Sequence, residues 1–265
     1  RRTRQPQHAG GQQAEADAIG LGEVGDHYHV GQDTRINKET QRLLKVVTRV
    51  PATTGARLRR LLQVRAVRHV HNRLGQYFKN NLVLFLSGMR NYDMATAMAD
   101  YTPNLKFADA LAQTGAPAML TSLTQLELYA RGSDLALSGR PGEMLEAALA
   151  GFKRSRIGAE VARSHVIVGT FHELKEVGNP KNLAGKTVIT SAVDDERLAF
   201  FKRCHVNLVV DVSPQLFERV VGTNVIEAMI LAALGKPTEA VSDDDFGEIV
   251  DELDIQPRLL HPTGH

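Results

Sequence analysis

The chain of 265 residues has one cysteine, Cys204, and no tryptophan. A single thiol cannot build a disulfide framework within the chain, and a reducing cytoplasm is the simplest compartment for it. No run approaches the ~18 apolar residues of a membrane span, so no membrane partner is expected. The formal net charge is only +2, too small to point to nucleic acid by itself. Internal repeats are missing, and so are a nucleophile elbow, a Walker loop and an HExxH pattern. The opening stretch RRTRQPQHAGGQQ has neither the apolar segment of a secretory signal nor any periodicity, and reads as a disordered tail over residues 1–15. The ends read as cut: the chain starts with Arg1 rather than Met and stops at LLHPTGH without a closing element.

What is present is ordinary globular composition, 43% hydrophobic and 23% charged, enough to bury a sizeable core. Ala16–Val24 and His27–Val30 read as a short strand pair. Lys38–Val47 is helical, the PATTG turn at Pro51–Gly55 breaks it, and a long helix follows from Ala56 to Phe78. In that helix Leu58, Leu61, Leu62, Ala66, Val70 and Leu74 fall on one face. Beyond it, short apolar runs alternate with helical segments. Strands are expected at Leu82–Leu86, Leu105–Ala108, His165–Gly169, Thr187–Ser191 and Leu208–Val210. Helices are expected at Tyr92–Ala99, Glu143–Phe152, Asp194–Cys204 and Thr223–Leu234. Such alternation predicts a parallel sheet covered by helices. The span from Gly115 to Gly142 reads as further covering helices, and Asp243–Leu253 as an acidic surface or partner-facing helix. The expected organisation is a substrate-side region over 16–78, a Rossmann-like α/β domain over 79–240, and an acidic helix with tail over 241–265.

The segment VLFLSGMRNYDMATAMADYTPNLKFAD outlines a dinucleotide-binding βαβ unit with one glycine, Gly88, where the full fingerprint has three. Gly88 would let backbone approach a pyrophosphate, Ser87 could donate a hydroxyl, and Arg90 could pair with a phosphate beside Asn91. Asp109 follows Gly88 by 21 residues, close to the ~20 expected of the carboxylate that binds the ribose hydroxyls. A carboxylate there favours NAD over NADP. Asp93, at the start of the following helix, competes for the same amides. The alternative is a plain βαβ unit with a turn glycine.

The block NLAGKTVITSAV, DDERLAFFKRCHV, NLVVDVSPQL and VVGTNVIEAMILAAL, with HVIVGTFHEL, VLFLSGMRNYDMA and DAIGLGEV upstream, resembles the proteins called quinate 5-dehydrogenases, within a wider group of amino-acid dehydrogenases. The resemblance runs from Ala16 onward, and GTNVIEA is its most distinctive piece. It implies an NAD(P)-dependent oxidoreductase of small hydroxy or amino acids, with an N-terminal substrate side and a Rossmann-like cofactor domain.

In an open parallel sheet, ligands sit beyond the carboxyl ends of the strands. There His172 is the expected general acid/base. Thr170 and Phe171 would line the cofactor face, and Ser191 could bond ribose or carboxamide. Gly222, Thr223 and Asn224 open a helix whose amides could hold the nicotinamide end or a carboxylate. Thr53, Thr54 and Gly55 could hold an anionic group of the substrate, or simply cap a helix. His27 and His29 share a strand face but lack a third ligand, so no metal is expected. A rival reading rests on Arg57, Arg59, Arg60, Arg65, Arg68 and Arg73. They crowd one helix, and could make the chain an inactive Rossmann-like protein that binds anionic partners. A small-molecule substrate and at most a second copy of the chain are the expected partners; nucleic acid is not.

Overall fold

A computed structural model of the chain describes residues 19–20, 27–47, 49–138, 143–216, 219–235 and 240–263, without the side chains of 134–148. The tail read at 1–15, and most of the strand read at Ala16–Val24, lie outside the described residues.

The elements in chain order are β1 Ile19–Gly20, β2 His27–Val30, β3 Asp33–Ile36, α1 Lys38–Val46, β4 Ala52–Thr53 and α2 Ala56–Arg73. Next come β5 Val83–Phe85, α3 Tyr92–Ala99, β6 Leu105–Phe107, α4 Asp109–Thr114, α5 Leu123–Ser138 and α6 Glu143–Arg163. They are followed by β7 Val166–Val168, α7 Phe171–Val177, α8 Pro180–Leu183, β8 Thr187–Thr190, α9 Asp195–Arg203 and β9 Leu208–Asp211. A small hairpin of β10 Gln215–Leu216 and β11 Arg219–Val220 precedes α10 Thr223–Leu234, α11 Asp243–Glu252 and β12 Arg258–Leu260.

Six strands form the central sheet in the order β12-β9-β8-β7-β5-β6, parallel except for β12. Numbered among themselves, the parallel strands run 2-1-3-4-5, a doubly wound, Rossmann-like α/β order that reverses between β5 and β7. The five parallel strands are buried on both faces except at the half-buried Lys106 of β6, which is why their central residues are apolar. Alternate residues serve opposite layers. Val83, Phe85, Val166, Val168, Ile189 and Val210 share one core with Met94, Met98, Val67 and Val70 of α3 and α2. Leu84, Ile167, Val188 and Val209 share the other with α4, α6, α7, α8 and α9 through Leu111, Val161, Leu174, Leu183 and Phe201. A third cluster joins α2, α10 and α11 through Leu58, Leu62, Ile226, Ile230, Phe246 and Val250. Val30, Val67, Val70 and Phe78 pack with the sheet strands, so the N-terminal region shares the sheet's core.

Four expectations need correction. The helix read at Glu143–Phe152 runs on to Arg163. His27–Val30 pairs antiparallel with Asp33–Ile36, while Ile19–Gly20 pairs in parallel with Ala52–Thr53; DTRI is too polar and too exposed to read as a strand. The long helix stops at Arg73, before left-handed Gly75 and Gln76, rather than at Phe78. The apparent C-terminal tail carries β12, an edge strand pairing with β9. No described helix is long and apolar enough to cross a membrane.

Candidate functional site

The carboxyl ends of β5, β7, β8 and β9 meet the first turns of α3 and α10 and the middle of α2. Together they enclose a cavity of about 200 Å³. Six of the expected cofactor-site residues line it: Arg90, Asn91, Thr170, Ser191, Gly222 and Thr223. Met94, Val168 and Ile189 supply apolar wall. Arg59 and Gln63 enter from α2, at positions otherwise given to its buried leucines and alanine.

Three uncharged polar side chains in this wall, each at least nine-tenths buried, have an atom with no protein partner among the described residues. These are Gln63 Oε1, Thr190 Oγ1 and Thr223 Oγ1. Leaving such a group unsatisfied costs on the order of 1–3 kcal/mol, so buried polar atoms normally have partners. The three come from different elements and border one cavity.

The strand-end turns around the cavity contrast with this. Asp109 opens α4 directly behind β6 and is 1% exposed. Its carboxylate accepts from the backbone N–H of Gly88 at 2.8 Å and of Met89 at 3.0 Å. Burial pushes its pKa up to about 6, against the pull of those amides. A Cβ at Gly88 would press into the Phe107 ring and lie 2.9 Å from Asp109 Oδ2, so the packing of β6 and α4 already requires glycine there. Asn91 closes the turn by donating from Nδ2 to the Ser87 carbonyl at 2.8 Å.

After β7, Thr170 caps α7 and Glu173 returns a 2.8 Å bond to the Thr170 N–H. After β8, the Ala192 N–H donates to Ser213 Oγ, and the Val193 N–H to Asp211 at 3.2 Å. Asp211, wholly buried at the end of β9, also accepts from the Ser213 N–H at 3.0 Å and pairs with Arg258 of β12.

The remaining expected site residues fall elsewhere. Ser87 and Gly88 lie outside the cavity wall. Asp109 is turned onto the β5 turn, so it is not placed to bind a ribose. Phe171 packs edge-on against Phe200 and Phe201 beneath Arg197. His172, the expected acid/base, is exposed in the first turn of α7 and is outside the wall. Asn224 carries the backbone against which Gly55 presses: Gly55 has φ +75° and no room for a Cβ.

Thr53 and Thr54 line a second cavity of about 290 Å³ with His27, His29, Arg57 and Arg60. Thr53 donates to Glu227, whose other oxygen accepts the Leu58 N–H at 2.7 Å. His27 Nδ1 bonds Thr54 Oγ1 at 2.9 Å. Burial, with their positive neighbours, lowers the pKa of both histidines.

The arginine helix is answered within the chain. Arg57 and Arg60 pair with Asp243, Arg65 pairs with Asp251, and Arg57 lies over the Phe246 ring. Arg59 is buried and donates to the His27 carbonyl. The acidic α11 is therefore the partner of much of this face, which leaves Arg68 and Arg73 exposed. Sequence reasoning missed Gln63 and Thr190. The one legible signal was Gln63, a polar residue on an otherwise apolar helix face.

Fold and cavity together define a Rossmann-like α/β protein with a small, mostly apolar chamber on the carboxyl edge of its sheet. The chain belongs to the family described as a domain of unknown function, DUF8754, which matches residues 57–262. No curated protein and no solved structure matches it.

Proposed function

We propose that the chain binds a small polar metabolite in the carboxyl-edge cavity. The observation that carries this reading is the convergence of Gln63 Oε1, Thr190 Oγ1 and Thr223 Oγ1 on one chamber, at the end of the sheet where open α/β proteins take their ligands. A cavity of about 200 Å³ suits a metabolite rather than a whole dinucleotide. The test is a calorimetric screen of small hydroxy acids, quinate among them, amino acids and uncharged polyols, against the whole protein and Thr190→Val. Binding weakened by the substitution supports the reading; binding indifferent to it refutes it.

A second reading is an NAD(P)-linked oxidoreductase of small hydroxy or amino acids, quinate-dehydrogenase-like as the sequence resemblance implies. Its specific support is that Arg90, Asn91, Thr170, Ser191, Gly222 and Thr223 all border the cavity, where a nicotinamide and its ribose would find polar partners. The pyrophosphate does not fit the β5 turn, because Asp109 holds the Gly88 and Met89 amides. Titration with NAD⁺, NADH, NADP⁺ and NADPH separates the readings: metabolite binding without cofactor binding leaves only the first. A reducing cytoplasm fits the lone buried Cys204, and self-association would use the exposed Val225 and Met229 of α10.

A further inference from the structure

We propose that Arg59 and the first turn of α10 form an anion-binding end of the carboxyl-edge cavity, and that its ligand is a carboxylate seated there with its uncharged end at Gln63. The inference rests on the cavity being a binding site and names the chemistry and the direction of binding.

Helix α2 sets the direction. Gly55 packs so closely against the first turn of α10 that a Cβ would lie 2.4 Å from the Asn224 nitrogen. Arg59 stands one turn further along α2, its N–H donating to the Gly55 carbonyl at 3.0 Å, and Gln63 stands one turn beyond that. Gln63 reaches the other end, where its Nε2 donates to Asn91 Oδ1 at 3.3 Å at the turn that opens α3. Arg59, Gln63, Gly222 and Thr223 all line the cavity. The wall therefore runs from a helix start, past a guanidinium, to an amide.

The α10 end suits negative charge. This helix is 12 residues long and no side chain caps it, so the positive end of its dipole is open to an anion. Thr223, its first helical residue, has a buried Oγ1 without a protein partner among the described residues. Arg59 is 8% exposed and donates from Nη2 to the His27 carbonyl; the planar fork of a guanidinium carries further donors that match a carboxylate. Arg90 adds a second positive charge where the wall is exposed. Among the described residues no carboxylate lines this wall. Glu227 faces the second cavity, its oxygens held by Thr53 and by the Leu58 N–H. Burial raises the pKa of Asp93, and Arg60 pulls it back more than Arg59 does, so this carboxylate of α3 answers Arg60 before Arg59. A ligand ammonium at this end would meet two arginines and a helix start, all positive.

The donors fit a carboxylate better than a phosphate. The Val225 N–H already bonds the Gly222 carbonyl at 3.0 Å, and Gly55 crowds the Asn224 N–H. Of the first helical amides that leaves the one of Thr223, with its hydroxyl, beside the guanidinium. Two carboxylate oxygens can be met by that set, whereas phosphate sites use a run of backbone N–H groups. At the far end Gln63 Oε1, an acceptor without a protein partner among the described residues, takes a ligand hydroxyl or amide N–H.

The experiment is NMR on the whole chain, following the γ-methyl groups of Thr190 and Thr223. The probes are meta-hydroxybenzoate, meta-hydroxybenzamide, meta-hydroxybenzylamine and phenyl phosphate, which keep one ring and change its charge. The benzoate should shift both methyl signals and bind at least roughly tenfold tighter than the amide. The amine should leave both signals unmoved, and phenyl phosphate should bind more weakly than the benzoate. Arg59→Lys keeps the charge but loses the fork, and should weaken the benzoate roughly tenfold while leaving the amide unchanged. Melting checks that this variant folds; if it does not, the comparison of probes on the parent decides. An amide that binds as tightly as the benzoate would overturn the anion-binding end while leaving the cavity a binding site. Phenyl phosphate binding tighter than the benzoate would overturn the choice of carboxylate. No methyl response to any probe would overturn the binding reading itself, and this inference with it.

Discussion

Replacing Asp109 with asparagine should change the stability of the protein by an amount that depends on pH. Asp109 is buried, and its pKa rises from the ordinary 3.8 to about 6. The folded state therefore keeps a proton that the unfolded chain loses. The stabilisation from that proton is complete below 3.8 and is lost as pH climbs through about 6. Each tenfold change in proton affinity is worth about 1.4 kcal/mol, so the whole loss is about 3 kcal/mol, and about 2 kcal/mol of it falls between pH ~4.5 and ~7.5. Asparagine cannot titrate. It keeps one oxygen for the two amides of Gly88 and Met89, leaving one unsatisfied at a cost of roughly 1–3 kcal/mol at either pH. The variant should thus be clearly weaker than the parent near pH ~4.5 and close to it near pH ~7.5, the gap narrowing by about 2 kcal/mol. Urea unfolding of both proteins at the two pH values measures that difference, with the remaining carboxylates cancelling between them. A gap that stays constant, or widens toward neutral pH, would refute the assignment of Asp109 as a buried carboxylate charged at a cost.

Other substitutions test the rest of the architecture. Gly88→Ala forces a Cβ against Phe107 and should cost about 1–3 kcal/mol by thermal unfolding, whether or not any cofactor binds. Arg258→Ala leaves the wholly buried Asp211 without its ion pair, and should cost about 3–5 kcal/mol in urea; a loss under about 1 kcal/mol would mean that β12 does not need the pair. The Asp243→Asn, Asp251→Asn double variant removes the carboxylates from Arg57, Arg60 and Arg65. It should bind a heparin column more tightly than the parent, with little change in melting because these pairs are partly exposed. Equal retention would show that α11 does not mask the basic helix.

The five parallel strands were legible because their apolar residues are buried on both faces of the sheet, whereas the half-exposed β3 and β12 were not. Helices α3 and α10 were legible to the residue because a turn and a glycine stop mark them. Helix α7, only seven residues long, was overlooked although its Thr170–Glu173 capping box is written in the sequence. The candidate site was half legible. Six of the residues named at strand ends and helix starts border the cavity, but the residues that α2 contributes to its wall are far away in sequence and lie on a helix whose pattern announces only packing. Asp109 shows the limit most clearly. Its spacing from Gly88 is the same whether the carboxylate reaches out to a ribose or back to the turn. The direction is decided by α4 starting directly behind β6, which buries the side chain.

Two strand-end carboxylates give the edge of the sheet its character. Asp109 ties the turn after β5, and Asp211 ties the turn after β8 and the chain leaving β9. Both are almost completely removed from solvent, where an unpaired charge would be costly. Each accepts two backbone N–H groups there. The turns are thereby fixed before any ligand arrives, which lowers the ordering cost of binding. On the reading proposed above, Gln63 Oε1, Thr190 Oγ1 and Thr223 Oγ1 are the buried uncharged atoms with which a bound metabolite would share hydrogen bonds, each worth about 1 kcal/mol net. A ligand matching only one of the three positions would gain correspondingly less, so under that reading these atoms are the ones best placed to set specificity, and Thr190→Val is the substitution that tests them.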